Sequence, residues 1–367
     1  MPDTVPMGLR VAAAYSWRIL LVIAVLVVAG LLVVQFRYIV IPFLISLLLA
    51  GLLVPLVQFL QRHRWPKWLA VTFALVLTLS VVTGLVVLVV SQVRVGWADL
   101  QAKSVQAYED FIAFLLASPL EISEAELTQW LAQTWEALQR DSQTLINGVL
   151  SVGSTAGHVI TGMLLAIFAL IFVLLDGRRI WRWIVGLFPK RAHEAVDGAG
   201  AAGWVTLTTY VKVQIFVAAV DAVGIGLGAW ILGLFYGGFP LVVPIAVAVF
   251  LGSFVPIVGA VVTGAIAVFV ALVYLGPIPA LFMLGIVLFV QQFESHVLQP
   301  LVMGTAVKVH PLAVVFAVAA GGFTAGIAGT LFAVPLVAVV NVMWRYISSG
   351  QWRTNPRPTA EELLTRA

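Results

Sequence analysis

Cysteine is absent from the 367 residues of this chain, and charged residues are scarce. Without cysteine the chain has no disulfide, no thiolate nucleophile and no thiolate ligand for a metal. Only 10% of its residues are charged and 62% are hydrophobic, whereas soluble domains carry about 25% charged residues. A water-soluble fold cannot cover so much apolar surface at a mean hydropathy of +1.09. The composition therefore predicts an integral membrane protein.

The signature motifs of several enzyme classes are also missing. The sequence contains no G-x-x-x-x-G-K-[ST] phosphate loop and no H-E-x-x-H zinc motif, and no G-x-S-x-G surrounds Ser151 or Ser154. We therefore predict that the chain is not an enzyme and needs neither a cofactor nor a metal. Its basic residues form short runs that a solvated face explains, so no nucleic acid partner is expected.

Long apolar runs make up most of the chain. No small-residue cleavage site follows the first run, so it is interpreted as a membrane helix and not as a signal peptide. Five runs are long enough to cross about 30 Å of hydrocarbon as helices, namely 19–36, 38–60, 68–92, 157–175 and 211–235.

Basic residues set the predicted orientation. Arg62, Arg64 and Lys67 follow the second run, and five more basic residues lie in 177–194. Short loops rich in Lys and Arg stay in the cytoplasm. We therefore expect a bacterial inner-membrane protein with both termini inside, and 177–194 lying in the inner membrane interface.

Segment 93–155 differs from the rest of the chain. It holds eight of the sixteen acidic residues and shows apolar residues at helical spacing. We expect amphipathic helices outside the membrane that lie on its surface or pack on a neighbouring subunit. A dedicated ligand-binding domain is the alternative.

Two apolar segments in the last third have an unusual length. Residues 240–275 are interrupted at Pro256–Gly259, and residues 311–345 by four glycines. Two full spans and a turn need more than about 40 residues, and a single span needs only about 20. Each segment is therefore predicted to be a helical hairpin that enters the membrane and returns. Four short complete spans remain the alternative, since they end on the same side.

The predicted fold is an all-α polytopic bundle of about eight membrane segments, which include the two hairpins, with an extracytoplasmic helical insert. Glycine-rich faces and the amphipathic insert need partners, so a homo-oligomer is expected. The chain is predicted to divide into membrane helices 1–92, the insert 93–155, a transport region 156–347 and a cytoplasmic tail 348–367.

Asp221 lies about ten residues into the fifth run, near mid-membrane. Gln214, Gly224 and Gly228 share its side of the helix, and the glycine pair allows another helix to approach closely. An ionisable group at this depth is a functional hypothesis by default. A protonated or paired carboxylate that holds helices together is the alternative.

The sequence from Gln291 to Pro335 carries a composite motif. It reads QQFESHVLQPLVMGTAVKVHPLAVVFAVAAGGFTAGIAGTLFAVP. Its Q-P-x-(V/I)-x-G, H-P-L, G-G-x-x-A-G-x-x-G and A-V-P elements resemble the signature region of the autoinducer-2 exporter family, also called the PerM-like permeases. Phe254–Gly259 and Leu53–Val57 are similar to two earlier family elements. The chain departs from the pattern at Phe323–Ala325, which is more polar than usual, and after Gly259, where a second proline is often found.

The resemblance implies a transporter but no particular substrate. Family members are described as exporters of autoinducer-2, and some as sodium/proton antiporters. We expect a secondary transporter that exports a small polar solute such as an autoinducer-2-like signalling molecule. A sodium or other monovalent cation/proton antiporter is the alternative, and a channel or a non-transporting scaffold comes after it.

The candidate site is expected where the two hairpin tips face each other. Broken helices leave backbone groups that a ligand can satisfy, and paired Gly/Pro breaks are typical of secondary-transport sites. Glu294 has pairing with Lys308 or His296 as its structural alternative, and His310 is predicted to cap a helix, with a proton-linked role as the second reading. The candidate substrate or ion site consists of Asp221, Gln291, Glu294, Pro256, Gly259, Gly321, Gly322, Gly326 and Gly329.

Overall fold

The computed structural model describes residues 7–116, 152–255, 258–303 and 310–353. Every element within these ranges is helical, which confirms the predicted all-α class. A π-helical turn, Glu294–Met303, continues α8, and 3-10 turns occupy Lys190–Ala192 and Gln351–Arg353. The α-helices are α1 (Met7–Gln35), α2 (Arg37–Arg62), α3 (Lys67–Leu116), α4 (Val152–Gly186), α5 (His193–Tyr236), α6 (Val242–Gly252), α7 (Val258–Leu275), α8 (Pro277–Phe293) and α9 (Pro311–Ser348).

Seven helices in the described ranges are long and apolar enough to cross a membrane: α1 to α5, α8 with its π turn, and α9. The apolar helices α6 and α7 are shorter. The most apolar window of α1 has no buried residue, so this helix stands apart from the bundle beside α2. These features confirm the polytopic membrane fold.

Helices α2, α3 and α4 share one apolar core. The Lys67 ammonium at the start of α3 donates a hydrogen bond to the Leu175 carbonyl of α4, which ties the basic α2–α3 loop to the end of the fourth apolar run. Arg64 in that loop takes a left-handed conformation with φ 66°. The core residues are Ala50, Leu53, Val57, Ala70, Val71, Ala74, Leu75, Leu170 and Leu174.

Helix α3 is longer than the sequence indicated. It continues without a break past Gln92, where the apolar run ends, as far as Leu116. Its fifty residues make it about 75 Å long at 1.5 Å per residue. Lys103 in the extension lies 4.8 Å from the centre of the Tyr274 ring at the end of α7. The predicted insert therefore begins as an extension of α3, and its residues 117–151 lie outside the described residues.

Helix α4 bends where its composition changes. Asp176 has non-helical backbone angles (φ −125°, ψ 16°), at the boundary between the fourth apolar run and the basic segment. After the bend, the Trp181 ring packs over Gly200 of α5, and its indole N–H donates to Asp197 Oδ1 over 3.0 Å. The basic segment is thus anchored to the start of α5.

Helix α5 is the central element of the structure. It is 44 residues long, about 66 Å, and α2, α6, α8 and α9 all pack along it. The predicted close approach at Gly224 and Gly228 is confirmed: a Cβ on Gly224 would lie 3.0 Å from Val290 of α8, and one on Gly228 would overlap Ile286. Buried residues of α5 to α8 form the largest apolar core.

Helices α6 and α7 form the first predicted hairpin. A Cβ on Gly259 of α7 would overlap the carbonyl oxygen of Gly252 in α6, so the chain reverses between these glycines. Helix α6 has eleven residues, about 16 Å, and α7 has eighteen, about 27 Å. The longer arm continues past the start of α6 and reaches the α3 extension at Tyr274.

Helix α9 forms the second predicted hairpin. Ala325 (φ −135°, ψ 15°) and Gly326 (φ 62°, ψ −143°) are non-helical. Gly321 and Gly329 are in backbone contact, although eight residues of continuous helix would separate them by about 12 Å. The helix therefore folds back between residues 325 and 326, and its arms 311–325 and 326–348 have fifteen and twenty-three residues. Length and composition alone would count α9 as a single span.

Candidate functional site

The two hairpin tips lie at the same level along α5. Ser253, at the end of α6, accepts a hydrogen bond on its backbone carbonyl from Gln214 Nε2 over 2.7 Å. The returning arm of α9 packs antiparallel to α5, with Val339 against Gly203. Gly326 lies thirteen residues before Val339, which at equal rise per residue corresponds to about residue 216 of α5. Both tips therefore reach the stretch of α5 from Gln214 to Asp221.

Asp221 is buried at this level, with 2% of its surface exposed. Its Oδ2 lies 3.1 Å from the Ser253 hydroxyl, which also lies 2.9 Å from the Val249 carbonyl in α6. The tip of the first hairpin is thus held to α5 by two polar contacts, one to Gln214 and one to Asp221.

The second carboxyl oxygen of Asp221 has no hydrogen-bond partner in the described part of the chain. Oδ1 is the buried side-chain polar atom there that lacks one. A buried acceptor without a partner costs about 1–3 kcal/mol, and more if it is charged. Native structures contain few such atoms, and they commonly mark a functional site or a place for an ion or water.

Glu294 approaches the same place from α8. It begins the π-helical turn, a feature that is often found at functional sites. Val290 before it packs on Gly224, and Leu298 after it packs with Val213 and Val217. Glu294 is half-buried between these contacts, and its charge acts on Asp221. The structure therefore brings together two carboxyl groups that the sequence placed in one candidate site.

Gln291 is half-buried one turn before Glu294 on the same helix. Its predicted contact with a ligand stays a prediction. The imidazole of His296 lies 3.1 Å from the Gln292 carbonyl and 3.0 Å from the Ser295 hydroxyl, so this ring is engaged within its own turn. Lys308, the other proposed partner of Glu294, lies outside the described residues.

His310 caps the start of α9, as predicted. Its Nδ1 accepts a hydrogen bond from the Leu312 amide over 3.2 Å, and Pro311 occupies the first helical position. The side chain is exposed. A proton-linked role for His310 stays a prediction.

The predicted site glycines close the hairpins. Gly259 contacts Gly252, Gly321 contacts Gly329, and a Cβ on Gly322 would lie 3.1 Å from the Thr330 methyl. Gly326 supplies the left-handed turn itself. Pro256 lies outside the described residues.

The second turn is exposed in the described part of the chain. Phe323 and Ile327, on either side of the second turn, are 93% and 75% exposed. Within the described residues, the two tips therefore share a level along α5 while the second turn stays exposed.

Ser253 is the functional candidate that sequence reasoning missed. It lies 32 positions from Asp221 in the chain, and no local pattern links the two residues. The available signal was its position, because it is the one hydroxyl side chain in 240–258 and directly follows Gly252 at the break.

Comparison with known proteins gives a consistent result. A family model described as AI-2E family transporter matches residues 21–349. A candidate transport protein of Mycobacterium tuberculosis, MT0215, is 39% identical over 332 residues, which cover 90% of this chain and 89% of that protein. A candidate transport protein of Bacillus subtilis, YrrI, is 25% identical over 83% of this chain and 85% of its own length. The AI-2 transport protein TqsA of Escherichia coli is 23% identical over 85% of this chain and 87% of its own length.

Proposed function

Because this chain belongs to the AI-2E family of transporters, we propose that it moves a small polar solute across the membrane by secondary transport. The observation that carries the proposal is the convergence of two helical hairpins on one polar stretch of α5, around Asp221. Discontinuous helices of this kind hold substrate and coupling ion in secondary transporters.

The short hairpin arms support a site inside the bilayer. At about 16 Å, α6 spans roughly half of the 30 Å hydrocarbon layer, and the first arm of α9 spans about 22 Å. The distribution of basic residues predicts that the open end of the α6–α7 hairpin lies outside and that of α9 inside. In this arrangement one hairpin covers the site from each face, and alternate opening of the two would give alternating access.

The apolar cores separate helices α2 to α4 from the first hairpin. The core of α2, α3 and α4 contains no residue of the hairpins, whereas α6 and α7 share their core with α5 and α8. In the proposed mechanism a hairpin moves against α5 while the α2–α4 core stays fixed.

An AI-2-like signalling molecule is the first substrate to test, and export is the direction to test. The reason is that TqsA is named an AI-2 transport protein. A cation/proton antiporter is the second candidate. The buried Asp221, with one oxygen unpartnered and Glu294 nearby, favours it. A non-transporting scaffold would give neither flux.

The test uses the absence of native cysteine. Gly226 of α5 and Ala246 of α6 have Cβ positions 3.1 Å apart, close to the 3.5–4.5 Å typical of a disulfide. In proteoliposomes, AI-2 efflux and sodium/proton exchange are measured for Gly226→Cys/Ala246→Cys under oxidising and reducing conditions. We expect flux in the reduced state and its loss on oxidation.

The matched control joins α2 to α5. Gly51→Cys/Thr208→Cys has Cβ positions 4.0 Å apart and involves neither hairpin, so its oxidation is expected to leave flux unchanged. Flux that survives oxidation of the first pair would contradict movement of this hairpin. No flux of either probe in the wild type would favour the scaffold.

A further inference from the structure

We propose that Asp221 binds the coupling proton and that the Ser253 hydroxyl transmits its protonation state to the tip of the α6–α7 hairpin, so that proton release and hairpin opening occur together. This proposal rests on the proposed transport function and adds its coupling ion and the element that the ion controls.

The geometry of Ser253 carries the first step. Its hydroxyl lies 3.1 Å from Asp221 Oδ2 and 2.9 Å from the Val249 carbonyl. A serine hydroxyl has one hydrogen to donate and two lone pairs to accept with. It therefore cannot fully satisfy both acceptors, and the two neighbours compete for one hydrogen.

A proton on Asp221 resolves this competition. The carboxylic acid O–H then donates to Ser253 Oγ, and the serine hydroxyl donates to the Val249 carbonyl. Each of the three groups has a partner in this arrangement. The closed hairpin thus matches the protonated carboxyl group.

Loss of that proton has the opposite effect. An ionised Asp221 draws the Ser253 hydrogen to itself and takes it from Val249. Its Oδ1, which has no partner in the described structure and is shielded from water, then carries unpaired charge, which is costly in an apolar interior. Water reaches Oδ1 if the tip moves away from α5, so ionisation favours an open hairpin. The released proton passes to that water.

The surrounding charges are consistent with a proton site. Glu294, on the π turn of α8, acts on Asp221 through its charge. Helices α6 and α7 contain no Asp, Glu, Lys, Arg or His, and the first charged residue of α9 is Arg345. Lys212 lies nine residues before Asp221, which is two and a half helical turns. Its side chain is therefore on the opposite face of α5 and is exposed. His296, on the same π turn, is exposed and its ring contacts the Gln292 carbonyl. Among the described residues of these elements no cation therefore faces Asp221, and a proton can neutralise it.

Gln214 makes the signal specific to the tip. Its amide donates to the Ser253 backbone carbonyl over 2.7 Å, and neither of these two groups ionises. Because this contact does not depend on protonation, the Asp221–Ser253 contact is the one that changes with pH. Of the two polar contacts that hold the tip to α5, only the one between Asp221 and Ser253 depends on a proton. A change in that single contact can therefore shift the tip between closed and open positions.

The experiment follows the tip directly. A nitroxide label is attached at Phe254→Cys, and its accessibility to a water-soluble relaxation agent is measured by EPR in proteoliposomes between pH 5.5 and 8.5, with potassium as the only cation. A label at Trp65→Cys in the α2–α3 loop is the control for effects of pH on the probe. We expect accessibility at residue 254 to rise several-fold with pH, and accessibility at residue 65 to stay constant.

Three variants assign the effect. Asp221→Asn, which is isosteric with the protonated acid, is expected to hold the tip at its low-pH accessibility. Ser253→Ala is expected to abolish most of the pH response, and Ser253→Thr, which keeps the hydroxyl, to preserve it. If Asp221→Asn does not fold, the Ala and Thr pair at residue 253 still decides between a hydroxyl relay and a purely structural serine.

The outcomes separate this proposal from the transport function. A pH response that is unchanged in Asp221→Asn or in Ser253→Ala would overturn the proton relay. A tip that responds to sodium at fixed pH, and not to pH, would make the site a sodium site and would also overturn it. A pH-dependent tip without flux of AI-2 or sodium would support the proton relay and contradict the transport function. Flux with a tip that does not respond to pH would support the transport function and contradict the relay.

Discussion

At the scale of residues, a few glycines determine how close the hairpin arms come. Gly252 and Gly259 in the first hairpin, and Gly321 and Gly329 in the second, meet backbone to backbone. A methyl group at Gly259, Gly321 or Gly329 would have to displace a carbonyl, and main chain moves less easily than a flexible side chain. The Gly/Pro breaks in the sequence point to Gly259, Gly321 and Gly329 as site residues, and the structure gives each of them this packing role.

Gly259→Ala is therefore expected to destabilise the protein. The new Cβ would overlap the Gly252 carbonyl oxygen, and overpacking of this kind costs about 1–3 kcal/mol. Thermal unfolding of the purified protein in detergent measures the loss. The control is Gly285→Ala in α8, where a Cβ would meet nothing within 4 Å. Equal stability of the two variants would disprove the close contact.

Gly326→Ala tests the second turn by a different physical effect. Space is free around Gly326, but its φ of 62° with ψ of −143° is a conformation that essentially only glycine adopts, at a cost of about 1–3 kcal/mol for other residues. Hydrogen exchange of backbone amides in 311–348 is expected to become faster, with 242–275 unchanged. The result would be contradicted if exchange stayed at the wild-type rate, because α9 would then not reverse at this residue.

At the scale of elements, the sequence predicted the hairpins but not the extent of α3. The hairpins were predictable because their apolar segments are too short for two spans and carry Gly/Pro breaks. The extension of α3 was not, because an apolar run reports where the membrane ends and not where the helix ends. Charged residues such as Arg94 and Asp99 are compatible with helix once they are outside the bilayer.

The pairing of Asp221 with Ser253 could not be predicted either. Asp221 was identifiable alone, as an acidic residue within an apolar run. Its partner depends on how α6 docks on α5. Small residues allow that docking: a Cβ built on Gly226 would lie 3.1 Å from the Ala246 Cβ. The pattern of a single sequence predicts which face of a helix is buried. It does not predict how two helices that are far apart in the sequence align with each other.

The lengths of the hairpin arms predict how deep the two tips lie in the membrane. The arm lengths put both tips inside the hydrocarbon layer, since α6 spans about 16 Å and the first arm of α9 about 22 Å of roughly 30 Å. EPR depth measurements on labels at Phe254→Cys and Phe323→Cys are expected to place both within the acyl-chain region. A label at Gly237→Cys, in the α5–α6 loop, is the interfacial reference. A tip label at the opposite headgroup region would instead indicate two complete spans.

At the scale of the whole molecule, two apolar cores share the long helix α5 at their border. One comprises α2 to α4 and the other α5 to α8, while the returning arm of α9 packs on the first half of α5 through Tyr346 at Gly198. Helix α1 lies outside both cores, and the outer face of α9 exposes Leu336, Val340 and Trp344. Self-association through such surfaces stays a prediction. Because α5 is central, both hairpin tips reach its stretch from Gln214 to Asp221. Movement of either hairpin would therefore change the surroundings of the same stretch.

This arrangement predicts which side of the membrane each hairpin opens to. If the α2–α3 loop is cytoplasmic, as its Arg62, Arg64 and Lys67 indicate, α5 ends outside and both ends of α6–α7 are outside. Helix α8 then crosses inward, and both ends of α9 are inside. Single cysteines at Gly237 and Gly276 are expected to react with a membrane-impermeant thiol reagent only from outside, and those at His310 and Ser349 only from inside.

The labelling experiment has two controls and one outcome that would contradict the predicted topology. Trp65→Cys in the basic loop fixes the cytoplasmic side, and the cysteine-free wild type gives the background labelling. Labelling of residues 237 and 310 from the same side would remove the inward crossing by α8, and both hairpins would then cover the same face. Two gates on one face cannot admit a solute alternately from each side. That result would therefore exclude the alternating-access arrangement, whatever flux the protein shows.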